Sequence, residues 1–350
     1  IGGEYRETPN STRSFTHLLT EFERGREVFR KHLGKVPEIW GRRKFGLLPQ
    51  IPQILKHFGY HGALHLAMDD GLYPDEEFSK IRWTGTSGAY LDALTRIPLA
   101  AESASSFLRF ASRMSESMDH DQVAAILFAR WPEVKAPWFN DLRRMHNYCS
   151  ALGRWTTLED YFNFTDSAGR LSSYDVVDYL SPDLLHSVAR RETSPIHRHV
   201  LAARAQASLD SARTFSQWTS LIRTGEITKT PFQTEELNLD TIHDTPELLQ
   251  QLDDHRTQTA GQLLPLLNPQ SEAPSQNLLI FNSLSFDRKI LVQDNDAHHV
   301  VDVPGSGFAS VNRTTSTPST APASPFAEGL TLRNGLFDLE INERTGGIAR

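Results

Sequence analysis

The sequence predicts an α/β protein whose character changes along its length, from alternating strands and helices, through a helical stretch, to a β-rich end. Three observations predict this. Over residues 39–161 short apolar runs alternate with amphipathic segments. Residues 182–222 and 245–267 are Leu- and Ala-rich with regular polar interruptions, and from residue 277 the apolar positions recur every second residue. The 350 residues are enough for two or three domain cores. The expected divisions are 1–165 for the α/β part, 166–270 for a helical bundle and 277–350 for the start of a β-domain.

In the first part, residues 62–68 (GALHLAM), 81–83 (IRW), 90–94 and 124–129 (AAILFA) read as buried strands. Residues 49–58, 105–118 and 138–148 read as helices, because apolar side chains return at three- and four-residue spacing. Strands alternating with helices imply parallel neighbours joined by crossovers. On such sheets and barrels chemistry gathers on the loops after the carboxyl ends of strands, which here are 42–44, 69–71 and 130–133. The two helical stretches have no clear strand pattern between them, so they read as a bundle. Asp244-Thr245-Pro246-Glu247 has the form of a helix start, a capping side chain followed by Pro and an acid. Residues 278–292 (LLIFNSLSFDRKILV) alternate as strand, 312–325 form a Ser/Thr/Pro segment that cannot build a core, and 336–341 resume strand alternation before the Thr345-Gly346-Gly347 turn. The pattern stops at Arg350 before a sheet could bury its face, which leads us to expect an internal segment of a longer protein.

Hydrophobic residues make up 39% of the chain and charged residues 23%, an ordinary globular mix, so the chain reads as soluble and folded. The formal net charge of -7, with both signs interspersed, gives no electrostatic footprint for nucleic acid or an anionic membrane surface. The longest apolar runs, such as 278–281, fall far short of the roughly 20 residues of a membrane span. One cysteine, Cys149, excludes internal disulfides and thiolate metal clusters, and reads as a small packed residue. The chain begins at Ile1 with no charged-then-apolar leader, which leaves the compartment unassigned. Asn-x-Ser/Thr triplets begin at Asn10, Asn163 and Asn312. No Gly-rich phosphate loop, His-Glu-x-x-His helix or Gly-x-Ser-x-Gly elbow is present, which removes kinases, common zinc proteases and standard serine hydrolases.

Several segments resemble, in order, those of one known family. The opening IGGEY resembles its Gly-Gly-Trp/Tyr segment, and Gly34-Lys35-Val36-Pro37-Glu38-Ile39-Trp40 its Gly-x-x-Pro-x-x-x-Trp turn. Phe45-Gly46 and Ile51-Pro52-Gln53-Ile54-Leu55 resemble its Phe-Gly and the helix that follows. Arg82-Trp83-Thr84-Gly85-Thr86-Ser87-Gly88 is similar to a Trp-x-Gly-x-Asp-Gly strand. LLIFNSLSFDRK (278–289) and NGLFDLEINERTGGI (334–348) resemble strands of the β-domain that follows the helices. Together these segments resemble glycoside hydrolase family 38, the α-mannosidase family, and the resemblance implies a partial β/α barrel-like catalytic domain, a three-helix bundle and a β-sandwich. It also implies retaining cleavage of α-mannosides by two carboxylates about 5–5.5 Å apart, with zinc held by His and Asp ligands.

Carried over residue by residue, much of that chemistry fails. The family nucleophile, also a zinc ligand, falls two residues before Phe45, and that position is Arg43. A guanidinium stays protonated and neither attacks nor binds a cation. The Gly-x-Asp-Gly acid is replaced by Ser87. His243 of His243-Asp244 is the nominal match to the remaining zinc ligand, and Asp244 reads equally as a helix cap. Asp166, Asp175 and Asp178 lie where the acid/base region ends, with no motif to select among them. Zinc therefore belongs to the intact protein as an expectation and is not assured by this chain.

The remaining candidates come from the residues themselves. Asp69-Asp70-Gly71 follows a predicted strand, where catalytic carboxylates belong, although adjacent acids beside Gly also make an ordinary turn. Coupling within the pair would raise one carboxyl and make it a proton donor. Arg42, Arg43 and Lys44 form a cationic triplet, with Arg43 the candidate to replace the metal charge and contact a sugar. Trp83, Trp131 and Trp138 are either sugar-stacking plates or core. His197 and His199 are two apart on a helix and do not face one way. The expected site is thus Asp69 and Asp70 as catalytic acids, Arg43, Trp83 and Ser87 on the carbohydrate, and His243 toward a metal. Three readings follow: an α-mannosidase-like hydrolase, a catalytically silent carbohydrate-binding relative, or a structural module unrelated to sugars.

Overall fold

A computed structural model describes residues 1–69, 71–76, 78–120, 125–131, 133–148, 153–181, 183–227, 246–267, 277–294, 297–312, 327–333 and 337–350. Asp70, Cys149, His243 and Asp244 lie outside the described residues, as does 313–326 of the Ser/Thr/Pro segment. The protein is a mixed α/β chain with two compact units, Ile1–Ala203 and Arg204–Arg350. No helix among the described residues is long and apolar enough to cross a membrane.

The first unit begins with α1 (Phe15–Leu33), where the Ser14 hydroxyl accepts the His17 amide at the amino end. Strand β1 (Ile39–Trp40) leads to α2 (Ile51–His57), whose Pro52 sits in the first turn, where no amide is missed. The strands β2 (Gly62–Leu64), β3 (Lys80–Thr84) and β4 (Tyr90–Leu94) follow. Next come β5 (Leu99–Ala100), α3 (Ala104–His120), β6 (Phe128–Ala129), α4 (Pro137–Met145), α5 (Leu158–Phe164) and β7 (Leu171–Ser173). Thr157 caps α5 by accepting the Asp160 amide, and Glu159 and Asp160 place negative charge at its positive end. Helix α6 (Asp183–Ala189) and the first part of α7 (Pro195–Thr224) complete the unit.

The main sheet has the order β1-β2-β4-β3-β7. β1, β2 and β4 are mutually parallel, as the strand–helix alternation predicts, with Ile39 opposite Gly62 and Gly62 opposite Asp92. β3 is the exception. It pairs antiparallel with β4, Lys80 facing Leu94 and Thr84 facing Tyr90, and β7 runs with β3. The expectation of parallel neighbours is corrected here by a tight β3–β4 hairpin, which needs no crossover. Among the described residues β1 and β7 do not pair with each other, so these strands form an open sheet and not a closed ring. A parallel pair, β5 with β6, stands apart.

The core under this sheet is Leu18 and Phe22 of α1, Ile51, Ile54 and Leu55 of α2, and Trp40, Ile81, Trp83, Leu91 and Ala93 of the strands. Ile81 and Trp83 share one strand face and Leu91 and Ala93 the facing positions, so period two delivers all four to the interior.

The second unit contains the rest of α7 and α8 (Pro246–Leu267), where the Ser208 hydroxyl donates to Asp253 at 2.6 Å and links the two helices. Strand β8 (Asn277–Asn282) pairs antiparallel with β11 (Gly307–Asn312), and β9 (Arg288–Asp294) with β10 (Ala297–Val303). The run LLIFNSLSFDRKILV is therefore two strands with different partners. A third sheet joins β12 (Ala327–Glu328), β13 (Thr331–Arg333) and β14 (Asp338–Glu340).

Candidate functional site

The loop after β1 is set by a buried ion pair. Arg42 turns inward to Glu4 at 2.9 Å, and both side chains are only 2% exposed. Arg42 also donates to the Thr8 carbonyl at 2.7 Å and the Lys44 carbonyl at 2.8 Å. Glu4 accepts further bonds from the Asn10 amide and the Trp40 indole, both at 3.2 Å, and Asn10 donates to the Gly46 carbonyl at 3.1 Å. A buried charge pair persists only when its remaining lone pairs and protons find partners, and here they do. Gly46 is required by this arrangement, since a Cβ there would lie 2.3 Å from the Arg42 guanidinium. Asn10, the first of the Asn-x-Ser/Thr triplets, is buried in the same network.

With Arg42 drawn in, Arg43 points out. The amides of Arg43 and Lys44 both donate to Glu7, at 2.9 and 3.0 Å, and the Arg43 carbonyl accepts the amides of Met68 and Asp69 at 3.3 Å. The loops after β1 and β2 are thereby tied together at the carboxyl ends of two parallel strands. Arg43 Nε stands 3.9 Å from Asp69 Oδ1, with both side chains about half-exposed. The same guanidinium lies over Trp131, 5.9 Å from the ring centroid, and that indole, from the loop after β6, is 43% exposed. Position 71, two residues past Asp69, has no room for a side chain, since a Cβ there would lie 2.1 Å from the Phe45 ring.

Three of the sequence-derived residues thus converge: Arg43, Asp69 and Trp131. Others are placed elsewhere. Trp83 is fully buried, against Trp40 at 6.1 Å and His65 at 4.9 Å between ring centroids. It is core, and its expected role on a sugar face is corrected accordingly. Ser87 sits in the β3–β4 turn, where its hydroxyl accepts the Ala89 amide at 3.4 Å. Because β3 runs opposite to β1 and β2, that turn lies at the amino ends of β2 and β4, across the sheet from Arg43 and Asp69. Ser87 is a turn residue apart from the rim. Arg42, read from sequence as a rim cation, is buried structure. Trp138 packs against Phe107 and Phe139 at 5.9 and 6.0 Å.

Sequence reasoning missed a buried polar group around His65. His65, fully buried just past β2, places Nε2 2.9 Å from the Tyr179 hydroxyl and Nδ1 3.2 Å from the Thr95 hydroxyl. Its ring stacks on Tyr174 at 4.9 Å. Burial lowers the His65 pKa to about 3, so the imidazole is neutral and exchanges hydrogen bonds as one donor and one acceptor. Tyr174 donates to Glu76, which also pairs with Arg170 at 3.5 Å. Burial raises the Tyr174 and Tyr179 phenols above their ordinary range, with Glu76 adding to the rise for Tyr174. The signal available was the place of His65 within the apolar run GALHLAM, which demands a paired polar ring.

Among the described residues no three His, Cys, Asp or Glu side chains converge as a metal site. The donor set on the rim does not fit zinc: Arg43 is a permanent cation, and Asp69 already faces it.

No protein-family model matches the chain, and no curated protein matches its sequence. Among solved structures the chain is similar to a protein in glycosyl hydrolase family 38 from Enterococcus faecalis, with 11% identity and a TM-score of 0.47, over 99% of this chain and 50% of that one. The chain thus spans about half the length of that neighbour.

Proposed function

We propose that this chain binds carbohydrate on the rim formed by Arg43, Asp69 and Trp131, recognising an α-mannoside or related glycan without hydrolysing it through the residue at position 43. The observation that carries this reading is the Arg43 guanidinium, 3.9 Å from Asp69 and 5.9 Å from the centroid of the Trp131 ring at the strand-end rim. The three groups suit a sugar. An exposed indole offers a flat apolar face for the C–H side of a pyranose. The guanidinium offers donors in a fixed plane, and the carboxylate accepts from hydroxyls. The ordered family-like segments, from IGGEY through the Phe-Gly loop to FNSLSFDR, supply the carbohydrate context.

Silence in catalysis follows from the same residue. A retaining mechanism needs a carboxylate free to attack the anomeric carbon. At the corresponding position stands a group that stays protonated. Glu7, the nearby acid, has both oxygens engaged by the amides of Arg43 and Lys44. Calorimetric titration with methyl α-mannoside tests the proposal. Binding that weakens at least about tenfold, about 1.4 kcal/mol, in Trp131→Ala and Arg43→Met supports it.

A second reading, an α-mannosidase-like hydrolase, is favoured by the half-exposed Asp69 on the strand-end loop. Release from an aryl α-mannoside, with and without zinc, decides between the two. Turnover abolished by Asp69→Asn or Asp70→Asn establishes the hydrolase and removes the silent-binder proposal.

A further inference from the structure

A separate cavity of about 580 Å³ opens in the first unit, bordered by α3, β6, α4 and α5, and none of Arg43, Asp69 or Trp131 lines it. Its volume falls in the usual span for small-molecule sites, about 300–1,000 Å³. One part of the wall is aromatic. Phe128 stacks on Phe110 at 6.1 Å and on Trp155 at 5.6 Å, and Trp155 meets Phe139 edge-on at 5.3 Å. Such a wall accepts a flat or branched apolar body.

At the same cavity two cations converge. Arg96 Nη1 and Arg113 Nη1 both reach one atom, Glu116 Oε2, at 3.7 and 3.5 Å. These are loose distances for a charge-assisted bond, which is about 2.7–2.9 Å when well made. Glu116 is 47% exposed and its other oxygen accepts from Ser112 at 3.1 Å, so its carboxylate can swing to solvent while keeping a partner. Asp75 is a further anion felt by both guanidinia. Among the lining residues are Arg96, Arg113 and Arg154 against Asp160. Both arginines line the cavity whereas Glu116, which now bridges them, does not, so a carboxylate inside the cavity would meet the guanidinia from the opposite side and compete with Glu116 for them.

We propose that this cavity binds a small carboxylate with an aromatic or branched-aliphatic body, the body lodged among Phe110, Phe128 and Trp155 and the carboxylate displacing Glu116 from Arg96 and Arg113. The site is independent of the carbohydrate rim and stands or falls apart from it.

The test is calorimetric titration of the 350-residue chain with hydrocinnamate and, separately, with its neutral amide, hydrocinnamamide. The acid is expected to bind and the amide to bind at least about tenfold more weakly. The Arg96→Met/Arg113→Met variant should lose that preference, binding the two alike. Met114→Trp, which fills the cavity from α3, should bind neither while keeping the wild-type far-ultraviolet dichroism. If Met114→Trp does not fold, the arginine variant decides alone. Equal affinity for acid and amide in the wild type, an undiminished preference in the arginine variant, or no binding of the acid overturns the proposal.

Discussion

Replacing Arg42 with Met tests how the rim is built. The substitution removes a guanidinium that donates to Glu4 at 2.9 Å, to the Thr8 carbonyl at 2.7 Å and to the Lys44 carbonyl at 2.8 Å. It leaves the Glu4 carboxylate buried with only neutral partners, Asn10 and Trp40. Breaking a buried pair from one side costs about 3–5 kcal/mol, and each stranded carbonyl costs about 1–3 kcal/mol where water cannot replace the donor. These costs overlap, so the expected loss is about 4 kcal/mol, close to a thousandfold in the folding constant. Urea denaturation followed by tryptophan fluorescence reads it directly, because Trp40 and Trp83 lie fully buried in the affected core. Glu4→Gln should also destabilise. The double variant Glu4→Gln/Arg42→Met should lose less than the sum by about 1–3 kcal/mol, since neither charge is then stranded. A loss below about 1 kcal/mol for Arg42→Met, the range of exposed pairs, or strict additivity in the double variant, refutes the buried-pair account.

Gly46→Ala should cost about 1–3 kcal/mol in the same assay, because its Cβ would lie 2.3 Å from the Arg42 guanidinium and that side chain is fixed by its bonds. His65 makes stability pH-dependent. Its folded pKa, about 3, lies below the unfolded value, so its contribution is complete above about pH 6.5. That contribution falls by up to about 1.4 kcal/mol per pH unit as pH drops toward the folded value, and denaturation at pH 7, 6, 5 and 4 should show a steeper loss in wild type than in His65→Gln. Ser87→Ala should leave mannoside affinity unchanged and stability within about 0.5 kcal/mol, as befits an exposed turn on the far side of the sheet. Trp83→Ala should cost about 3–5 kcal/mol of stability, measured by denaturation, without removing the rim from its place in a folded population.

What the sequence made legible was the meeting of Arg43 and Asp69. Each follows a short apolar run, and parallel strands carry the residues after them to one rim. What it hid were choices made by partners distant in the chain. Arg42 and Arg43 are adjacent and alike, and which of them turns inward is decided by Glu4, thirty-eight positions earlier in the pair that they form. Trp83 is a candidate plate from sequence because an indole can stack on a sugar face. Its period-two relation to Ile81 already marked it as core. Ser87 carried its own signal in Thr86-Ser87-Gly88, a short turn between two strand-like runs, which favours an antiparallel hairpin over a crossover. The His65 cluster depends on Tyr174 and Tyr179, over a hundred residues away, and no local pattern announces such a pairing.

The most direct test of the central claim is a crystal structure of the chain soaked with a mannobioside. The account predicts an intact disaccharide whose ring lies on Trp131 with hydroxyls bonded to Arg43 and Asp69. A sugar bound away from these three side chains, or a cleaved product in the density, contradicts it.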